Sequence, residues 1–258
     1  MSVSFARAML PGIVAATASL HPSRAPRHAA LVRVTHWITA ACFLALLVTG
    51  LEIVISHPRF YWGETGNSGT PVLFKIPIPS SRNTVPSGYN YVLPDQNGWS
   101  RYLHFEAAWA VVLTGLLYGL WGLWTGHFRG NLFPARGDRT PGAFLRVIAN
   151  HLRFKRPDAS EALSYNALQR VSYLVVVFVL FPLVIVTGLA LSPGFNAAFP
   201  FVVNSLGGRQ SARTLHFFVS ISLTLFLLIH VAMIFLAGFW TRMRAMITGN
   251  VTLREERR

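Results

Sequence analysis

Four stretches of this 258-residue chain run for roughly twenty residues or more without a formal charge. They are Val34–Leu51, extending to Ile55 if Glu52 lies near an interface, Ala107–Phe128, Val171–Gly208 and Thr214–Thr241. Each is long enough to cross about 30 Å of hydrocarbon at about 1.5 Å rise per residue. In the third, the helix is expected to end near Ser192-Pro193-Gly194, with Pro182 as a kink point. The following AAFPFVVNSL segment reads as a short interfacial or re-entrant piece. Trp99, Trp109, Trp121, Trp124 and Trp240 fall near span ends, where aromatic belts sit.

Composition supports the spans and excludes other classes. Apolar residues make up 52% of the chain and charged residues 12%, against about 25% charged in soluble domains. Intrinsic disorder needs the opposite balance. The formal charge of +14 suits a membrane protein with basic inner loops better than a nucleic-acid module. No Gly-rich phosphate loop and no G-x-S-x-G motif is present. The single cysteine, Cys42, excludes an intrachain disulfide, a cysteine-held metal cluster and covalent c-type haem.

Lys and Arg counts set the expected topology. The N-terminal tail through Arg33 holds four, the second loop through Arg170 eight and the final tail five. The first loop holds four and the third two. The bias places both termini and the second loop in the cytoplasm. A cleaved signal peptide is the alternative for the Arg7-led N-terminus, but its apolar part contains Pro, Thr and Ser. A loose cytoplasmic tail over residues 1–30 is the expectation. The core domain is expected over 31–244, with an outer loop at 57–98 and an inner loop at 129–167. A charged tail follows at 245–258. The outer loop, rich in Pro, Gly, Ser and Asn, is long enough to cap a cofactor or dock a partner. Within the inner loop, Phe144, Leu145, Ile148 and Leu152 of Ala143–Phe154 share one face, as in a helix lying on lipid.

Ionisable residues inside a membrane are functional candidates. Four of the nine histidines lie in or at the mouths of spans: His36, His104, His216 and His230. The fourteen-residue spacing of the last two is about 3.9 helical turns, so they share a face about 21 Å apart along the axis. Topology pairs His104 with His216 at the outer side and His36 with His230 at the inner side. Two neutral imidazoles at one depth fill both axial positions of a haem iron, closing it to ligands and suiting it to electron transfer. Arg33, Arg101 and Arg213 each precede a histidine by three residues, beside it on the helix and toward the aqueous edge. They suit an anionic propionate or, alternatively, are snorkelling or topology-setting charges. Thr-Gly-Leu recurs at Thr49-Gly50, Thr114-Gly115 and Thr187-Gly188. Gly50, Gly115 and Gly188 either admit a flat macrocycle or serve plain helix packing. His57 and His127 read as interfacial, and His21, His28 and His151 as loop residues. Glu106 reads as an interfacial carboxylate, with a supporting or proton-relay role as the alternative.

Four spans, a histidine in the first, another in the second and two fourteen apart in the fourth resemble the bacterial cytochrome b561 superfamily. That superfamily includes the membrane cytochrome b subunits of hydrogenase, formate dehydrogenase and thiosulfate reductase. The resemblance covers about Leu31 to Arg244, and HPRFYWGETGN looks like the thiosulfate-reductase branch. It implies an all-α integral four-helix bundle of the bacterial inner membrane. It also implies two haem b on His36, His104, His216 and His230, and quinone as a bound substrate near Arg33, His36 and the second cytoplasmic loop. The implied partner is an extracytoplasmic, molybdopterin-dependent redox subunit. Membrane lipid is the other expected partner, and nucleic acid is not expected. The expected function is electron transfer between that subunit and the quinone pool. A stand-alone superoxide/quinone oxidoreductase of the same fold is one alternative. A proton-coupled transporter with relaying histidines is another, but the sequence offers no midplane acid and no clear inverted repeat.

Overall fold

The computed structural model describes residues 24–26, 28–67, 69–77, 98–131, 133, 142 and 167–252. The Ala143–Phe154 helix, His21, His151, and most of the N-terminal tail and inner loop lie outside the described residues. The latter part of the outer loop and the last six residues do too.

The described chain is mostly helical, and four of its helices are long and apolar enough to cross a membrane. The first two are α1 (Ala30–Ser56) and α2 (Trp99–Trp124). A short α3 (His127–Asn131) follows. The third span, Gln169–Ala190, joins α4 (Ala167–Val175) and α5 (Phe181–Ala190) through a π-helical turn at Val176–Leu180. Next come α6 (Pro193–Ala198) and α7 (Pro200–Ser205). The fourth span, α8 (Arg209–Leu236), leads to α9 (Phe239–Thr248). At about 1.5 Å per residue, α1, α2 and α8 are about 39–42 Å long and reach the headgroup region on both sides.

The boundaries differ from the sequence reading at α2. A charge-free window starts only at Ala107, but the helix begins at Trp99 and takes in Arg101 and Glu106. Both are exposed, so the charges lie where a spanning helix emerges from hydrocarbon. Trp109 consequently sits about 15 Å into α2, away from its end, whereas Trp99 and Trp124 mark the ends. The expected disturbance at Pro182 takes the form of the π turn. Proline has no N–H and its ring collides with the carbonyl four residues back, and a wider turn relieves both. The AAFPFVVNSL segment is divided between the end of α6 and the whole of α7 rather than forming a single piece.

Packing follows the loops: α1 lies against α2, and α5 against α8. Val176, Val219 and Leu223 form one core cluster with Phe43, Leu180 and Phe226 around it. A second, of Ala190, Val203 and Ala212, lies where α5, α7 and α8 meet. Leu113, Leu120, Leu225 and Leu228 are exposed, as lipid-facing side chains are. Hydroxyls within the spans bond carbonyls one turn back, including Thr35 to Leu31 and Ser220 to His216. This satisfies them where no water is at hand.

The chain ends of the bundle are tied together. Strand β1 (Arg24–Pro26) pairs antiparallel with β4 (Asn250–Thr252). The guanidinium of Arg33 donates to the Ile247 carbonyl, and the Trp37 indole donates to Met246. The end of the N-terminal tail is therefore pinned, not loose as the sequence suggested, because strand pairing to the far end of the chain leaves no local signal.

At the opposite end, the first loop folds back on α8. Strands β2 (Arg59–Phe60) and β3 (Phe74–Lys75) form an antiparallel pair, with Phe60 and Phe74 stacked 4.6 Å apart. The Gly63 carbonyl accepts from the Gln210 and Ser211 amides at 3.0 and 3.2 Å, and the Glu64 carboxylate accepts from the Arg209 amide at 2.8 Å. These amides are the unpaired donors of a helix N-terminus. Gly208 has φ +99°, and a Cβ there meets the Gly63 carbonyl at 2.7 Å. Gly208→Ala is thus expected to destabilise the protein by about 1–3 kcal/mol. The expected readout is a lower melting point in detergent and faster tryptic cleavage after Lys75. Unchanged melting and cleavage would count against this docking.

Candidate functional site

The fold brings the four span histidines together in the two pairs expected. His36 on α1 faces His230 on α8, with ring centroids 6.4 Å apart and planes at 52°. His104 on α2 faces His216 on α8 at 6.3 Å and 64°. One helix thus supplies a ring to each pair, and α1 and α2 supply the opposing rings. The pairs stand about 21 Å apart along α8.

The spacing tests what such pairs hold. A metal–imidazole bond is about 2.0–2.1 Å, and adding the ring halves puts two centroids either side of one metal roughly 6 Å apart. Both pairs meet this. Among the described residues, no group of three or more His, Cys, Asp or Glu side chains is placed to hold a bare ion. Two imidazoles per site suit a metal whose remaining positions a macrocycle fills, so the donor set fits haem iron.

The surroundings of the pairs differ. At the outer pair, Thr49 Oγ1 lies 2.9 Å from His104 Nδ1 and Thr187 Oγ1 lies 3.1 Å from His216 Nδ1. The Val184 carbonyl is 3.0 Å from the same His216 nitrogen. Both threonines are fully buried. At the inner pair, His230 stacks on Phe226 at 5.6 Å and 20°, and Tyr173 stands edge-on to it at 6.4 Å. The Nδ1 of His36 is buried with no hydrogen-bond partner among the described residues. The Thr-Gly-Leu recurrence pointed toward Thr49 and Thr187, although only its glycines were read for function. Tyr173 and Phe226 carried no signal.

The glycines are not equivalent. A Cβ on Gly188 would stand 3.2 Å from His216 Cε1, tighter than ordinary contact, and one on Gly50 would lie 3.6 Å from His104 Cε1. A Cβ on Gly115 meets nothing within 4 Å. Gly188 therefore gives His216 its room, Gly50 brings α1 into ordinary contact with His104, and Gly115 borders neither pair.

The arginines also divide. Arg213 donates to the carbonyls of Arg59 and His57, with its guanidinium carbon 4.8 Å from the Phe60 ring centroid. It fastens the outer loop to α8 one turn from His216. Arg33 fastens α1 to α9. Arg101 is exposed at the start of α2. A groove of about 610 Å³ beside Arg33 is lined by Val34, Trp37, Ile38, Met246 and Ile247. Beyond the end of α2, His127 packs among Tyr118, Trp121 and Phe128, and this burial lowers its pKa.

The chain is 28% identical over 207 residues to a protein of Azospira oryzae named as a protein-methionine-sulfoxide reductase subunit, YedZ1. The match covers 80% of this chain and 89% of the relative. No solved structure matches. A family model described as prokaryotic cytochrome b561 matches residues 27–249, which takes in all four span histidines. The chain therefore belongs to the prokaryotic cytochrome b561 family, multi-pass proteins of the bacterial inner membrane that bind haem b and carry electrons.

Proposed function

We propose that this membrane cytochrome b binds two haem b, one between His36 and His230 and one between His104 and His216. In this reading it carries electrons between the quinone pool and an extracytoplasmic, molybdopterin-dependent redox subunit. The observation that carries the reading is the repetition of one geometry at two depths. Two imidazole pairs, at 6.3 and 6.4 Å, are strung along a single transmembrane helix. A structural histidine pair has no reason to recur at the same spacing about four turns away.

His36 with His230, and His104 with His216, would each hold a haem that would supply one-electron transfer. The chain's own residues do the rest. Helix α8 fixes the separation of the two sites, and Gly188 admits the His216 ring. Arg101, exposed three residues before His104, is the arginine assigned to a propionate. Arg33 and Arg213 direct donors to backbone carbonyls instead. The groove at Arg33, Trp37 and Ile247, one turn from His36, is assigned to quinone, on the cytoplasmic side that the Lys and Arg bias indicates. Quinol oxidised there releases two electrons and two protons, and the same groove serves the reverse reaction. The partner assignment draws on the name of the Azospira oryzae relative, a subunit of a reductase.

The test is purification of the native protein from membranes, with haem b and molybdenum both measured per chain. The expected result is about two haem b by pyridine haemochrome, a sharp low-spin α band in the reduced-minus-oxidised spectrum, and co-purifying molybdenum. One haem or none, in protein supplied with haem, overturns the two-site reading. Two haems without molybdenum overturn the partner assignment and favour the stand-alone oxidoreductase.

A further inference from the structure

We infer that Thr49 and Thr187 are positioning residues for the outer histidine pair: each accepts a hydrogen bond from Nδ1 of the facing histidine, fixing the tautomer that presents Nε2 to a metal and lowering the reduction potential of the group held there. This rests on the two-haem reading above.

The proton assignment follows from counting hydrogens. A threonine hydroxyl has one hydrogen and two lone pairs, and a carbonyl can only accept. Thr49 Oγ1 lies 2.7 Å from the Ala45 carbonyl, and Thr187 Oγ1 lies 2.7 Å from that of Leu183. Each hydroxyl hydrogen is committed to the carbonyl one turn back. The lone pair facing the histidine at 2.9 or 3.1 Å therefore accepts, and Nδ1 carries the proton. For His216 the Val184 carbonyl at 3.0 Å requires the same tautomer independently. With Nδ1 protonated, the lone pair of a neutral imidazole is on Nε2.

An acceptor on the far nitrogen makes a ligating imidazole more basic. A more basic ligand favours the oxidised, more positive iron, so the acceptor lowers the potential. The inner pair is built differently: His36 Nδ1 is buried with no hydrogen-bond partner among the described residues. The two sites thus differ in the lever that sets potential, although their ring spacings match. The arrangement is duplicated in the fold. Thr49-Gly50 on α1 serves His104 on α2, and Thr187-Gly188 on α5 serves His216 on α8. In each, the threonine accepts from the ring and the adjacent glycine lies against it. Thr114-Gly115 repeats the sequence, but a Cβ on Gly115 meets nothing within 4 Å among the described residues.

The experiment is redox potentiometry of the purified full-length protein, with haem content measured on each sample. Thr49→Val is expected to keep two haems and raise one of the two midpoint potentials, with a matching change in the low-spin electron paramagnetic resonance signal. Thr49→Ser, which keeps the oxygen, is expected to retain the wild-type potential. Thr187→Val is expected to shift the same component upward by less, because the Val184 carbonyl still accepts from His216. If Thr49→Val fails to load fully, Thr49→Ala removes the same oxygen without added bulk and replaces it. Unchanged potentials at full haem content overturn the inference, as do equal shifts in the Ser and Val variants. Neither outcome touches the two-haem reading, which fails only if wild-type protein lacks the second haem.

Discussion

On the two-haem reading, His216→Ala is expected to halve the haem content, from about two b haems per chain to about one, and to leave the protein folded in the membrane. Three observations set that size. His216 faces His104 at 6.3 Å, so the loss strips one of the two imidazoles proposed to hold that haem. The other pair lies about 21 Å away along α8 and shares no ring with it. The Gly63, Glu64 and Arg213 contacts that dock the first loop involve other residues of α8, through backbone amides and the Arg213 guanidinium. The pairing makes the sharper prediction. His104→Ala is expected to match His216→Ala, and the double variant His104→Ala/His216→Ala to match either single one, because all three remove the same group. The cross-pair variant His104→Ala/His230→Ala is expected to hold no haem. Effects of residues acting as one unit are non-additive, and those of separate units add. Haemochrome assays on the four variants decide the matter. A within-pair double variant with less haem than its singles would break the pairing, even if all four histidines proved to be ligands.

The parts of this molecule that were legible in the sequence are those written in local periodicity. Charge-free runs of about twenty residues mark spans because charge is costly in hydrocarbon. Fourteen residues bring His216 and His230 to one helix face because 3.6 residues make a turn. What escaped the sequence depends on which helices touch. Arg33 and Arg213 stand one turn from a histidine, which suggested that they serve the same ligand. Their hydrogen bonds reach instead to Ile247, 214 residues away, and to His57, 156 residues away. The threonines escaped for a similar reason. The pairing of Thr49 with His104 exists only because α1 lies against α2, and that of Thr187 with His216 because α5 lies against α8. Nothing in Thr-Gly-Leu separates these two from Thr114-Gly115, which has the same residues but whose glycine has open space around it among the described residues. The start of α2 was missed because a charge-free window cannot see that Arg101 and Glu106 extend the helix into the interface.

His230→Ala is expected to separate two ways of reducing the protein. Dithionite should still reduce the one remaining haem, at the His104–His216 site. A soluble quinol analogue, expected on this reading to reduce both haems of the wild type, should no longer reduce it above background. The argument is one of distance. The groove lined by Arg33, Trp37, Ile38, Met246 and Ile247 adjoins His36, whose partner is His230. From that end the outer pair is about 21 Å away along the axis, with aliphatic and aromatic side chains such as Val219, Leu223 and Phe226 between. Without the inner group, no redox centre lies along that distance. His36→Ala should behave identically, because it empties the same site, whereas His216→Ala should leave quinol reduction of the inner haem intact. That asymmetry distinguishes a broken path from a damaged quinone site, since Arg33 and Trp37 keep their bonds to α9 in all three variants. Quinol reduction of the outer haem at the wild-type rate in His230→Ala would place the quinone site at the outer end instead. The groove at Arg33 would then be left to membrane lipid.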